Sequence, residues 1–137
     1  MTSSMSLGGS ISLPQLCALT GWSAGRARLV AEKHAGPARS KRGEGGRLIL
    51  WWPLPPLAAP LAAHGPEGIL PGGWCTRNFA ATALRDLPAE TRHQLLVENS
   101  PLLRRKPACS KRGTPCRAYA LADLLAILRS PGALHHH

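Results

Sequence analysis

Side chains that usually fill a protein core are few here: one Tyr, one Phe and two Val in 137 residues. A chain this poor in aromatic and β-branched residues builds a core with difficulty, which leaves room for a largely disordered basic protein without a selected ligand. Acidic residues are also scarce, seven against 17 Lys and Arg, for a formal charge of +10. That excess says nothing about fold, but it favours polyanionic partners. No apolar run reaches the roughly 18 residues of a membrane span, so no membrane association is expected. The opening MTSSMSLGGS lacks the basic start and apolar stretch of a signal peptide. Four cysteines are not spaced as a dense disulfide framework, so the expected location is reducing and cytoplasmic, associated with the nucleoid. Phosphate-loop and dinucleotide fingerprints are missing, and Cys109 and Cys116 stand further apart than the usual zinc-ligand pairs. With two Asp and five Glu, no catalytic acidic centre stands out. No catalytic residue, metal, cofactor or small-molecule substrate is expected, and the chain does not read as an enzyme.

What is present is basic charge spread evenly. Residues 1–64 carry seven basic and two acidic side chains, and residues 65–137 carry ten and five. One phrase also occurs twice. PARSKRGEGGR at 37–47 and PACSKRGTPCR at 107–117 share seven of eleven positions.

Ser12 precedes LPQLCAL with Pro14 in the first turn, a helix start, because Pro lacks an N–H that this turn leaves unpaired anyway. TGW at 20–22 breaks that helix, and Ser23 can cap a second one through residue 34. Leu16, Leu19, Trp22, Ala27, Val30 and Ala31 could close a small core between them, leaving Arg26 and Lys33 outward. A short helix, a Gly-containing turn and a longer Arg-bearing helix make a helix-turn-helix pattern. The stretch ARSKRGEGGRLILWW then reads as a β-hairpin wing, with Arg39, Lys41, Arg42 and Arg47 placed beside phosphates or in a minor groove. Residues 53–73 are rich in Pro and Gly, which forbids a long helix. In the second half, Pro88 opens a helix over 89–99. LLRRKPACSKRGTPCRAYAL repeats the basic strand, turn and strand with Arg104, Arg105, Lys106, Lys111, Arg112 and Arg117. Leu121, Leu124, Leu125 and Leu128 follow the spacing of a helix with one apolar face.

The fold class expected is mainly α with short β-hairpin wings, a winged helix-turn-helix in two small tandem units. Residues 1–10 form a disordered N-terminus, 11–64 the first unit, 65–77 a linker, 78–131 the second unit and 132–137 a disordered tail. The closing HHH reads as a tag remnant, or as native. Two linked weak binders gain affinity through effective concentration, a physical reason to carry the phrase twice. Chance within a low-diversity composition is the alternative.

SLPQLCALTGWSAGRARLVAEKHAGPARSKRGEGGR at 12–47 resembles the winged-helix DNA-binding domain of phage Mu-type transposases and repressors. The matching elements are SAG opening the second helix, VAEKHAG closing it, and spaced basic residues with GG in the wing. DLPAETRHQLL at 86–96 looks like a segment that follows the wing in that family. KPACSKRGTPCRAYALADLLAIL at 106–128 is similar to the wing and final helix of excisionase-like and MerR-like winged helices. The resemblance implies that Ser23, Gly25, Arg26 and Arg28 lie at or near the groove-facing end of a recognition helix, and that Arg39, Lys41 and Arg42 belong to the wing. WWPLPPLAAPL is more proline-rich than that pattern, and LPAETR falls some thirty residues late. An insertion within one domain and a tandem repeat explain this equally well. The expected function is sequence-specific binding of double-stranded DNA, as a transcriptional regulator or a recombination and excision accessory factor, with a homodimer open. An RNA-binding protein is the remaining alternative, although no aromatic stacking platform stands out for it.

Overall fold

Ser12 opens the first helix as expected. Its hydroxyl accepts from the Gln15 N–H at 3.2 Å while the Gln15 side chain accepts from the Ser12 N–H at 3.3 Å, a reciprocal cap that satisfies two of the unpaired donors of a helix start. The structure is a computed structural model that describes residues 9–42 and 46–129. The expectations for residues 1–8, for the hairpin tip at 43–45, for the helix stop at 130–132 and for the tail at 132–137 lie outside the described residues. Strand β1 (Ser10–Ser12) leads into α1 (Leu13–Thr20), and α2 (Ala24–Ala35) follows after Gly21, Trp22 and Ser23. Gly21 takes the left-handed conformation (φ 78°) that ends α1, which a residue with a Cβ adopts only under strain. Next come β2 (Arg39–Arg42), β3 (Leu48–Pro53), a 3-10 turn (Pro55–Leu57) and α3 (Ala58–His64). Pro60 is tolerated in α3 because it stands in the first turn, where its missing N–H has no intrahelical partner to lose.

The second half has β4 (Ile69–Leu70), β5 (Trp74–Thr76), α4 (Arg77–Ala83), α5 (Ala89–Leu96), β6 (Arg105–Cys109), β7 (Pro115–Ala120) and α6 (Leu121–Arg129). Two antiparallel sheets result, ordered β1-β3-β2 and β4-β5-β7-β6. The architecture is therefore mixed α and β, with more strand than the mainly helical expectation allowed. Strands of two or three residues leave no alternation for a sequence reading to detect. The segment 65–77, expected as a linker, instead holds β4, β5 and the first residue of α4. Its Pro and Gly are turn chemistry, since Gly72 and Gly73 both have positive φ and turn the chain between two paired strands. Ile69, Leu70 and Cys75 of this segment are buried. Helix α5 stops at Leu96 rather than 99, and Asn99 takes a positive φ of 59° just beyond it.

From β5 onward the second half repeats the connectivity of the first, strand-helix-helix-strand-strand-helix, with β4 added at the sheet edge. Ser10 pairs with Pro53 and Ile11 with Trp52 in the first sheet, as Trp74 pairs with Ala120 and Cys75 with Tyr119 in the second. Thr76 caps α4 through the Phe79 N–H at 3.2 Å, matching the cap of α1 by Ser12. Trp52 and Tyr119 are thus counterparts, and both are fully buried. The repeated basic phrase does not share this register. Arg42 pairs with Leu48 as Cys109 pairs with Pro115, so Cys109 is the structural counterpart of Arg42. The phrase alignment would have chosen Arg112, a slip of three residues. Both phrases do lie in hairpins, but Lys41 and Arg42 stand on a strand whereas Lys111 and Arg112 stand in the turn.

One hydrophobic cluster includes residues of both halves, from Ile11, Leu16 and Trp52 to Tyr119, Leu124 and Ile127. Leu and Ala supply most of its members, in place of the scarce Val and Phe. The halves also touch through polar groups. The Gln15 side chain donates to the Leu125 carbonyl at 3.1 Å, and Arg129 donates to the Ser10 carbonyl at 3.0 Å while lying 5.1 Å over the Trp51 ring. Gly9 lies so close to α6 that a Cβ there would stand 2.8 Å from the Ala122 Cβ.

Candidate nucleic-acid interface

Helix α2 buries Ala27 and Ala31. At 100° per residue the opposite side of such a helix carries Gly25, Arg26, Leu29 and Lys33, and all four are exposed, Leu29 by 71 %. Ser23 caps the helix, its hydroxyl accepting from the Arg26 N–H at 3.2 Å. Its side-chain acceptor is therefore occupied within the fold. The Arg26 guanidinium lies 5.2 Å over the Trp22 ring, a contact that limits its rotamers while leaving its donors outward. Arg28 sits to the side and pairs with Glu32 at 3.1 Å. Lys33 makes no side-chain hydrogen bond or ion pair with another described residue. Gly25 has no conformational reason to be Gly, because its φ is not positive and a Cβ would meet nothing within 4 Å. Gly25 is the second residue of α2, and its missing side chain leaves the surface open at this point.

The first hairpin adds Arg39, Arg42 and Arg47, all exposed. Arg42 donates to the Gly46 carbonyl at 3.3 Å, which ties it across its own turn. The side chains of Arg39 and Arg47 make no hydrogen bond or ion pair with another described residue. Lys41 is on β2, and its side chain lies outside what the structure describes.

The second set of basic residues is placed differently. Arg104 forms a two-point pair with Asp123, at 2.8 and 3.0 Å, and its N–H donates to the same carboxylate at 2.9 Å. Asp123 raises the Arg104 pKa above its ordinary value and holds β6 to the start of α6. Arg105 donates to Asn99 and to the carbonyls of Ser100 and Leu103, with its guanidinium 5.7 Å over Tyr119. Lys106 lies 4.5 Å over Trp74. Lys111 donates to the Pro66 carbonyl at 3.3 Å, Arg112 pairs with Glu67 at 2.8 Å, and Arg117 reaches Asn99 at 3.4 Å. Each of the six is engaged within the fold. The counterparts of Lys41 and Arg42 on β6 are the uncharged Ala108 and Cys109. Helix α5, the counterpart of α2, carries Glu90 in its first turn, with Glu98 just past its end against His93 at 3.4 Å.

The remaining candidates for chemistry lie apart. Cys109 and Cys116 are both free thiols on opposite faces of the β6–β7 hairpin, because Ala108 is the residue paired with Cys116 and neighbours along a strand alternate faces. Among the described residues no three His, Cys, Asp or Glu side chains gather as metal ligands, and no helix is long and apolar enough to cross a membrane. Cys75 is buried beside Tyr119, its partner across the sheet, and burial pushes its thiol from the ordinary 9.0 up to about 12. A raised acid pKa means that the folded state holds a proton which the unfolded state releases above pH 9. Stability attributable to this group is therefore complete below pH 9 and falls as pH rises towards 12, by about 1.4 kcal/mol per unit. Urea unfolding of wild type and Cys75→Ala from pH 8 to 11 is expected to show the steeper decline in wild type; parallel curves would refute the assignment.

Arg77, which the sequence reading passed over, is a further exposed cation at the start of α4. The Thr76-x-x-Phe79 cap was the available signal for that helix. No protein-family model matches the chain, and neither the curated proteins nor the solved structures contain a significant match to it.

Proposed function

We propose that the protein binds double-stranded DNA through its first half as a winged helix-turn-helix, with α2 in the major groove and the β2–β3 hairpin as the wing. The observation that carries this reading is the outward face of α2. It presents Arg26 and Lys33 around an open Gly25 and Leu29, and the acid beside them, Glu32, is already paired with Arg28. An α-helix fits the major groove, where Arg donates bidentately to guanine O6 and N7, and a helix-turn-helix presents its second helix there. Arg39, Arg42 and Arg47 supply positive charge from the neighbouring hairpin, suited to phosphates rather than base edges. The strand-helix-helix-strand-strand order and the β1-β3-β2 sheet accord with the winged-helix resemblance of residues 12–47. Regulation of transcription and assistance to recombination both follow from duplex binding of this kind.

RNA is the less favoured polyanion. Trp22, Trp51 and Trp74 each have a cation of the protein itself over the ring, whereas single-stranded RNA recognition uses aromatic faces open to bases. The test is fluorescence anisotropy on a duplex across a salt series. Binding through about five cationic side chains gives a slope of log K against log salt of roughly −4 to −5, and a structured RNA hairpin should compete poorly. Absence of binding at low salt, or affinity indifferent to salt, would reject the proposal.

A further inference from the structure

The second basic phrase encloses a groove of about 810 Å³ between the β6–β7 hairpin, the first turns of α4 and the 67–68 loop. Its walls are held from several sides. Arg112 bridges to Glu67 and Lys111 to the Pro66 carbonyl, while the Ser110 hydroxyl accepts from the N–H groups of Arg112 and Thr114. The Thr76 N–H donates to the Gly68 carbonyl at 2.8 Å. Gly68 packs so tightly on Phe79 that a Cβ would stand 2.6 Å from that side chain. These contacts explain why the SKRG of the second hairpin turns inward, and they fix the groove before any ligand arrives.

The lining is cationic and rich in unused donors. Arg77, Arg112 and Arg117 face one carboxylate, Glu67, which is already paired with Arg112. Arg77 has no such partner, and Arg117 gives one 3.4 Å hydrogen bond to the neutral Asn99, so neither charge is balanced by an acid. The side chains of Arg77, Asn78, Thr82 and Thr114 make no hydrogen bond with another described residue. Phe79 and Pro115 give the same groove an apolar surface. Planar guanidinium groups match phosphate oxygens two at a time, and an apolar wall beside them suits a nucleobase. A volume of this size falls within the range of small-molecule sites.

We infer that this groove is a binding site for a nucleoside phosphate, either free or as a unit of a single strand, with Arg77 and Arg117 on the phosphate and Phe79 and Pro115 beside the base. It shares no residue with the face of α2 and does not depend on duplex binding there.

Calorimetric titration of the full chain with ATP, with adenosine and with a short single-stranded oligothymidylate tests the assignment. ATP or the oligothymidylate should bind with a dissociation constant below about 1 mM, a free energy beyond about −4 kcal/mol, and adenosine should not bind. Binding of ATP marks a free nucleotide as the source, and binding of the oligothymidylate alone marks a strand. Arg77→Gln/Arg117→Gln should weaken binding at least about tenfold, with Arg26→Ala/Lys33→Ala unchanged. Both arginines of the first variant are exposed, so its circular-dichroism melt should match wild type. The bound ligand should also slow alkylation of Cys116, which lines the groove, and leave the exposed Cys109 unaffected. Failure of both phosphate ligands to bind, undiminished binding by the first variant, or equal loss in the second would overturn the inference.

Discussion

Trp52→Ala and Tyr119→Ala should each cost about 3–5 kcal/mol and lower the melting temperature of the whole chain by roughly 10–20 °C. Both side chains are fully buried, and both pair across their sheets with a buried residue, Ile11 or Cys75. Truncation removes an aromatic ring and leaves a cavity that the surrounding Leu side chains only partly refill. Because the two positions belong to one hydrophobic cluster, loss of either should shift a single cooperative transition monitored by near- and far-ultraviolet circular dichroism. Two independently folded halves would respond otherwise, with Trp52→Ala splitting the melt and leaving the second half at its original temperature. A largely disordered chain would give no cooperative transition in wild type. Trp52→Phe should cost much less than Trp52→Ala. It deletes the indole N–H, which is buried without a hydrogen-bond partner, and such a group carries a desolvation penalty of about 1–3 kcal/mol.

The second large effect concerns DNA. Arg26→Ala/Lys33→Ala combined with Arg39→Ala/Arg42→Ala should reduce duplex affinity at moderate salt about a hundredfold or more and flatten the salt slope by about three to four units. Lys111→Ala/Arg112→Ala should leave affinity within about twofold of wild type. This contrast follows from where the charges are spent. Lys111 and Arg112 already hold Pro66 and Glu67, so their use on phosphate would break contacts that shape the second hairpin. Arg26 and Lys33 make no ion pair, because the neighbouring Glu32 is taken by Arg28. Equal losses from the two sets would mean that both hairpins contact DNA and that the phrase is a functional repeat. Losses from neither set would reject duplex binding by this chain. Partial losses from Arg26→Ala/Lys33→Ala alone, with the hairpin pair neutral, would retain α2 as the reader and remove the wing.

Local chemistry was legible in the residues. Ser12, Pro14 and Ser23 mark two helix starts through caps that need only their immediate neighbours, and Gly21 marks the turn between them. The Leu spacing over 121–128 marks α6 because four side chains on one stripe have no other economical arrangement. The basic Gly-rich phrases announced two hairpins. Elements too short to carry a period stayed hidden: β1, β4 and β5 span two or three residues each, and their Pro and Gly context imitated a linker. Helix α4 went unread for a related reason, with its one cap signal at Thr76 and no apolar stripe of useful length.

The candidate site divides in the same way. Sequence determined that the chain is strongly basic, that α2 presents Arg26 and Lys33 outward, and that two basic turns exist. It could not determine which cations remain available to a partner, because that depends on residues distant along the chain. Asp123 captures Arg104 and Glu67 captures Arg112 only once the strands are paired and the 66–67 loop lies beside the hairpin. The three-residue slip between phrase and register was likewise decided by strand pairing, since buried Trp52 and Tyr119 must face the core and thereby set every other position on β3 and β7. Composition placed positive charge in both halves alike, and tertiary packing left it accessible on α2 and the first hairpin while committing most of it to internal partners in the second.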